Sequence, residues 1–112
     1  MKKNKKIVRL MFDYYHEITW IYDLKTGNLA DPIDIIDNDK EVKELSDEIY
    51  DLRISFIKFD SDGIPRETDY EKAKANKEKM LNLLKKLNDR LDKINDGSYV
   101  VDDRLTEYYK NL

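Results

Sequence analysis

Apolar residues recur at intervals of three and four along two long stretches of this chain, and that spacing commits both stretches to amphipathic helix. In the first, Val42, Leu45, Ile49, Leu52 and Phe56 form one apolar stripe, with Tyr50, Ile54 and Ile57 as a second stripe beside it. A helix with two such stripes touches two neighbours, here a sheet and another helix. In the second stretch, Tyr70, Ala73, Met80, Leu84, Leu87, Leu91 and Ile94 keep the spacing as far as Gly97, a natural stop. A single helix there is about 27 residues and roughly 40 Å long. Each start carries a capping-box pattern, Asn38 with Glu41 and Thr68 with Glu71, in which each side chain satisfies a backbone N–H at the helix entrance.

The rest of the chain has a different period. Residues 7–14 alternate, with Val8, Leu10, Phe12 and Tyr14 on one side, which is strand spacing. Residues 18–22 repeat the pattern with Ile18, Trp20 and Tyr22, and Trp20 is assigned to the core. Tyr15-His16-Glu17 is short enough to join the two as a hairpin. Residues 25–28 read as a turn and residues 60–67, with Gly63 and Pro65, as a loop. Ser98 to Val101 suit a third strand, and Leu105, Tyr108, Tyr109 and Leu112 a short closing helix. The expected fold is α+β: a small, mainly antiparallel sheet packed against a two-helix hairpin, in the order β-β-α-α-β with a short C-terminal helix. One domain spans residues 1–112, its first six residues forming a basic tail.

Composition narrows the chemistry. Charged and apolar residues each make up 40%, yet the net charge is only −3, which fits a folded domain with a heavily charged surface. Cysteine is absent, so disulfides, thiolate metal sites and a cysteine nucleophile are excluded. The opening MKKNKKIVRLMF lacks the uninterrupted apolar segment and small-residue cleavage site of a signal peptide. No apolar run approaches the ~20 residues that span a bilayer. The expected location is the cytoplasm, with no membrane partner. His16 is the only histidine, and Glu17 beside it does not define an acid–base pair. Glycines only at 27, 63 and 97 leave no phosphate-cradling loop. Asp37, Asp39, Glu41 and Glu48 fall at calcium-loop spacing, but Val42 stands where such a loop needs glycine. No catalytic residue, cofactor or metal is expected, and the chain does not read as an enzyme.

Charge is concentrated between residues 31 and 51. That run holds nine acids and two lysines, a formal charge of −7, so the remainder sums to +4. Asp34, Asp37 and Asp39 lie on the approach to the first helix, where negative charge favours the N-terminus. Glu44, Asp47, Glu48 and Asp51 sit at i, i+3, i+4 and i+7, one continuous acidic stripe away from the apolar one. Like charges at this spacing repel by a few tenths of a kcal/mol, so folding alone does not ask for them. These four are the candidate partner-binding residues, with Asp34, Asp37 and Asp39 as a rim; a merely solvated face is the alternative. On the second helix Lys72, Lys79, Lys86, Arg90 and Lys93 share an arc, with Glu71, Glu78 and Asp89 beside them. That pattern is an ordinary salt-paired face before it is a phosphate-binding one.

The segments VRLMFDY (8–14) and TWIYD (19–23), a glycine turn, and an acidic lead into a helix reading LSDEIYDL resemble small bacterial immunity proteins of contact-dependent and other polymorphic toxin systems. The resemblance covers roughly residues 7–64 and rests on apolar and aromatic positions. It implies a stoichiometric inhibitor that binds one cognate toxin domain, often a nuclease, and covers its active site or substrate path. An acidic stripe suits a surface that otherwise meets phosphate and speeds association electrostatically. Two other functions stay open. One is a structural or adaptor module that self-associates, as a homodimer, through the helical hairpin and its second stripe. The other is weak nucleic-acid binding through the basic face of the second helix.

Overall fold

The computed structural model describes residues 5–12 and 18–112. The expected connection at Tyr15-His16-Glu17, Tyr14 and the lone His16 lie outside the described residues. Strand β1 (Lys6–Leu10) is the centre of a three-stranded sheet. Strand β2 (Thr19–Asp23) runs antiparallel along one side, and β5 (Tyr99–Asp103) runs parallel along the other. The sheet is therefore mixed rather than mainly antiparallel. Parallel neighbours need a long crossover, and the helices between β2 and β5 supply it.

Register sorts the side chains. Val8 faces Ile21 on one neighbour and Val101 on the other, and all three belong to the core side. Arg9 pairs with Trp20 and Asp102 on the opposite face. There the Arg9 guanidinium bonds the Asp102 carboxylate at 3.0 Å and lies 4.5 Å from the centre of the Tyr22 ring. This corrects two expectations. Ile18 and Trp20 do not share a strand face, and Trp20 is half-buried rather than a core residue. The cause is that β2 starts only at Thr19: Ile18, just before it, is buried outside the alternation, and Ile21 takes the inward position opposite Val8.

Short helix α1 (Asp34–Asp37) buries Ile36 and leads into α2 (Lys40–Ser55). The cap of α2 is Asp39, one residue beyond the expected Asn38; its carboxylate accepts from Val42 N–H at 2.9 Å. Val42, Leu45 and Ile49 are buried along α2, and Phe56 closes its C-terminal end in the core. The region expected as a loop holds a small hairpin, β3 (Ile57–Phe59) and β4 (Pro65–Thr68). Its turn is held by Asp60, whose side chain accepts from the N–H groups of Asp62 and Ile64. Gly63 adopts φ 76°, a conformation residues with a Cβ rarely take.

The expected 27-residue helix is two. Helix α3 (Tyr70–Ala75) is capped by Asp69, again one residue past the expected Thr68, and α4 (Lys77–Ile94) follows after Asn76. The Asn76 side chain donates to the Lys72 carbonyl at 2.9 Å, competing with the backbone ladder where the helix breaks. Helix α4 packs against α2 and buries Met80, Leu83, Leu84, Leu87 and Leu91. Tyr99 on β5 donates its hydroxyl to the Leu91 carbonyl, tying sheet to helix. Burial of that ring pushes the Tyr99 hydroxyl up to about 12. Helix α5 (Leu105–Lys110) closes the core with Leu105 and Tyr109.

Arg90 ties the two long helices together. Arg90 on α4 reaches Asp39 at 2.7 Å and Glu41 at 3.2 Å. Hydrogen bonding to Arg90 and to Val42 N–H holds the Asp39 carboxyl below its ordinary value of 3.8. A carboxyl lowered in the folded state stabilises above its unfolded value, and that contribution disappears as pH falls through the folded value. Asp39→Asn keeps an acceptor for the cap but removes the charge. The variant should be less stable than wild type to urea at pH 7, and the gap should narrow as pH falls below the ordinary carboxyl value. Asp39→Ala should cost about 1 kcal/mol more through the lost cap.

Candidate acidic interface

Helix α2 presents Glu44, Asp47, Glu48 and Asp51 on one exposed face, roughly 145° around the helix from the buried Val42–Leu45–Ile49 stripe. Glu44 pairs loosely with Lys40 at 3.8 Å, both side chains well exposed. An ion pair of this kind is worth little in water and exchanges readily for a partner's cation. Among the described residues, Glu48 and Asp51 form no ion pair. Asp34 and Asp37 are exposed on α1, close to the start of α2.

Asp39 behaves differently from the other six expected residues. Its side chain is only 10% exposed and is held by Val42 N–H and Arg90. Its charge is spent on the cap and the α2–α4 pair, so the acidic surface consists of Asp34, Asp37, Glu44, Asp47, Glu48 and Asp51.

The two parts of the acidic run border one concavity. A groove of about 470 Å³ lies between the edge strand β2, the segment after it, and the α1–α2 corner. Ile18, Ile21, Ala30, Ile33, Ile36 and Val42 give it an apolar lining, and Asp37 and Asp47 both reach it. Sequence reasoning treated residues 29–37 only as an acidic lead-in and missed this groove. The signal was the interleaving of Ile33, Ile35 and Ile36 with Asp34 and Asp37, more apolar residues than a solvated lead-in requires.

A second groove, of about 550 Å³, is lined by Phe12, Tyr50, Arg53, Ile54, Ile57, Phe59 and Pro65. It contains the second apolar stripe of the first helical stretch, although Ile57 belongs to β3 and not to α2. The Arg53 guanidinium lies 5.2 Å from the Phe12 ring centre.

The basic arc fares less well as a phosphate-binding surface. Lys72 falls on α3, beyond the break at Asn76, and Arg90 is turned to Asp39 and Glu41. Lys79, Lys86 and Lys93 remain exposed on α4. Among the described residues, no group of three or more His, Cys, Asp or Glu side chains is placed to hold a metal ion. Nor is any helix among them long and apolar enough to cross a membrane. Comparison with protein-family models, curated proteins and solved structures returned no match.

Proposed function

We propose that this protein is an immunity protein, which neutralises a cognate bacterial toxin domain by stoichiometric binding through its acidic surface. It works in the cytoplasm, without catalysis and without a cofactor. The observation that supports this reading is the exposed run Glu44, Asp47, Glu48 and Asp51, an arrangement that costs the isolated helix repulsion and lies off its buried stripe. A nuclease is the toxin class whose chemistry fits best, since its substrate path is basic where phosphate passes. The acidic face substitutes for the nucleic acid there and draws the two proteins together over distance.

The test is a binding measurement with the C-terminal domain of a secreted protein encoded immediately upstream. One-to-one binding that blocks the domain's toxicity is expected. Absence of such a gene, or of binding to its product, removes the reading.

A second reading has an observation of its own. The groove at Tyr50, Ile54 and Ile57 leaves apolar surface open, with Phe59 beside it 47% exposed, as a self-associating adaptor module requires. Sedimentation over a concentration series separates the two: a strict monomer excludes self-association.

A further inference from the structure

The groove between β2 and the α1–α2 corner has three properties that the acidic stripe alone lacks. Its lining is apolar yet open: Leu29 on its lip is 66% exposed, and Ala30, Ile33 and Ile18 lie within. Carboxylates stand on both sides, Asp37 from α1 and Asp47 from α2, with Lys43 the single cation among its described lining residues. Ser46 also lines it, and its buried Oγ has no hydrogen-bond partner among the described residues. A buried hydroxyl left in that state costs free energy.

We propose that this groove is the anchor pocket for a basic segment of a protein partner. One bulky apolar side chain of that segment enters the groove, and lysines or arginines on either side of it meet the acidic walls. The inference rests on the acidic-surface reading above and makes it more specific. Charge decides the occupant. Two carboxylates against one lysine line the groove, and exposed Asp31 and Asp34 flank its lining residues Pro32 and Ile33, an acidic surrounding that repels nucleic acid, anionic lipid and acidic peptides alike. The volume lies within the roughly 300–1,000 Å³ of pockets that take a compact ligand, ample for one aromatic side chain. An apolar centre within a charged rim is also how protein interfaces concentrate their affinity.

The test uses three capped, fluorescein-labelled pentapeptides: Lys-Lys-Trp-Lys-Lys, Lys-Lys-Ala-Lys-Lys and Glu-Glu-Trp-Glu-Glu. Anisotropy gives affinity, and ¹H–¹⁵N shift mapping gives location. The tryptophan peptide with lysines should bind about tenfold more tightly than its alanine counterpart. Its shifts should cluster at Ala30, Ile33, Ile36, Val42 and Ser46, and the acidic peptide should not bind. Ala30→Trp, which fills the groove, should abolish the tryptophan advantage. Leu29→Ser, at an exposed position that folding does not need, should reduce it. Equal affinity of the two lysine peptides, or shifts confined to Glu44, Glu48 and Asp51, overturns the anchor and leaves the acidic surface standing. Failure of both lysine peptides to bind overturns the anchor and the acidic surface together. Groove-specific binding in a protein that recognises no toxin keeps the anchor and removes the immunity reading.

Discussion

Replacing Tyr109 with alanine is expected to destabilise the protein by about 3–5 kcal/mol, the range for removing a buried aromatic ring. Tyr109 is 1% exposed on α5 and meets Phe12 at the end of β1, Phe56 at the end of α2 and its neighbour Tyr108. One side chain thus joins three separate parts of the chain, and little around it is free to collapse into the space it leaves. Domains of this size have a total stability of about 5–15 kcal/mol, so the loss is a large share of it. The melting temperature should fall by roughly 10–20 °C, measured by circular dichroism alongside urea titration. Tyr109→Phe keeps the ring and serves as the control. Burial also pushes the Tyr109 hydroxyl up to about 12. A tyrosine raised on folding contributes stability that is complete below its unfolded value near 10 and is lost as pH rises towards 12. Tyr109→Phe should therefore lose less stability than wild type between pH 10 and 12. A Tyr109→Ala cost below about 1 kcal/mol would mean that α5 does not seal the core.

The second large effect concerns association. Reversing Glu44, Asp47 and Asp51 together to lysine should slow binding to the cognate toxin domain by about 10–10³-fold at low salt, the scale on which electrostatic steering acts. The wild-type rate should fall steeply as salt rises, and the variant's should be flat or rise. All three positions are exposed and lie off the buried stripe, so the folded state should survive the change; its melting curve checks that. Unaltered affinity and unaltered salt dependence would place the interface elsewhere.

The two long helices were legible because their packing depends on a period of 3.6 residues that sequence displays directly. The entrances of α2 and α3 were misplaced by one residue for a specific reason. Asn38-Asp39 and Thr68-Asp69 each offer two adjacent capping side chains, and in both cases the aspartate three residues before the donating N–H is the cap. The break at Asn76 was not legible, because a side-chain bond to the Lys72 carbonyl leaves the apolar spacing on either side almost unchanged. Strands of three and four residues at β3 and β4 are too short to show alternation, and Gly63 and Pro65 suggested only a loop. The parallel placement of β5 depends on what lies beside it in space, which no local pattern encodes. At the candidate site, the exposed stripe on α2 followed from helical geometry alone. The burial of Asp39 against Arg90 did not, since it depends on how α4 crosses α2.

The Arg9–Asp102 contact joins residues 93 positions apart. At synthesis rates of about 5–20 residues per second, the central strand waits roughly 5–20 s before its parallel neighbour exists. Throughout that interval Val8 and Leu10 belong to an unfinished sheet, with one edge of β1 open to any other extended chain. Long-range pairing of this kind also slows the folding step itself. A nascent chain stalled before Tyr99 is therefore an aggregation hazard rather than a partly working protein, and its fate depends on chaperones more than on its own stability.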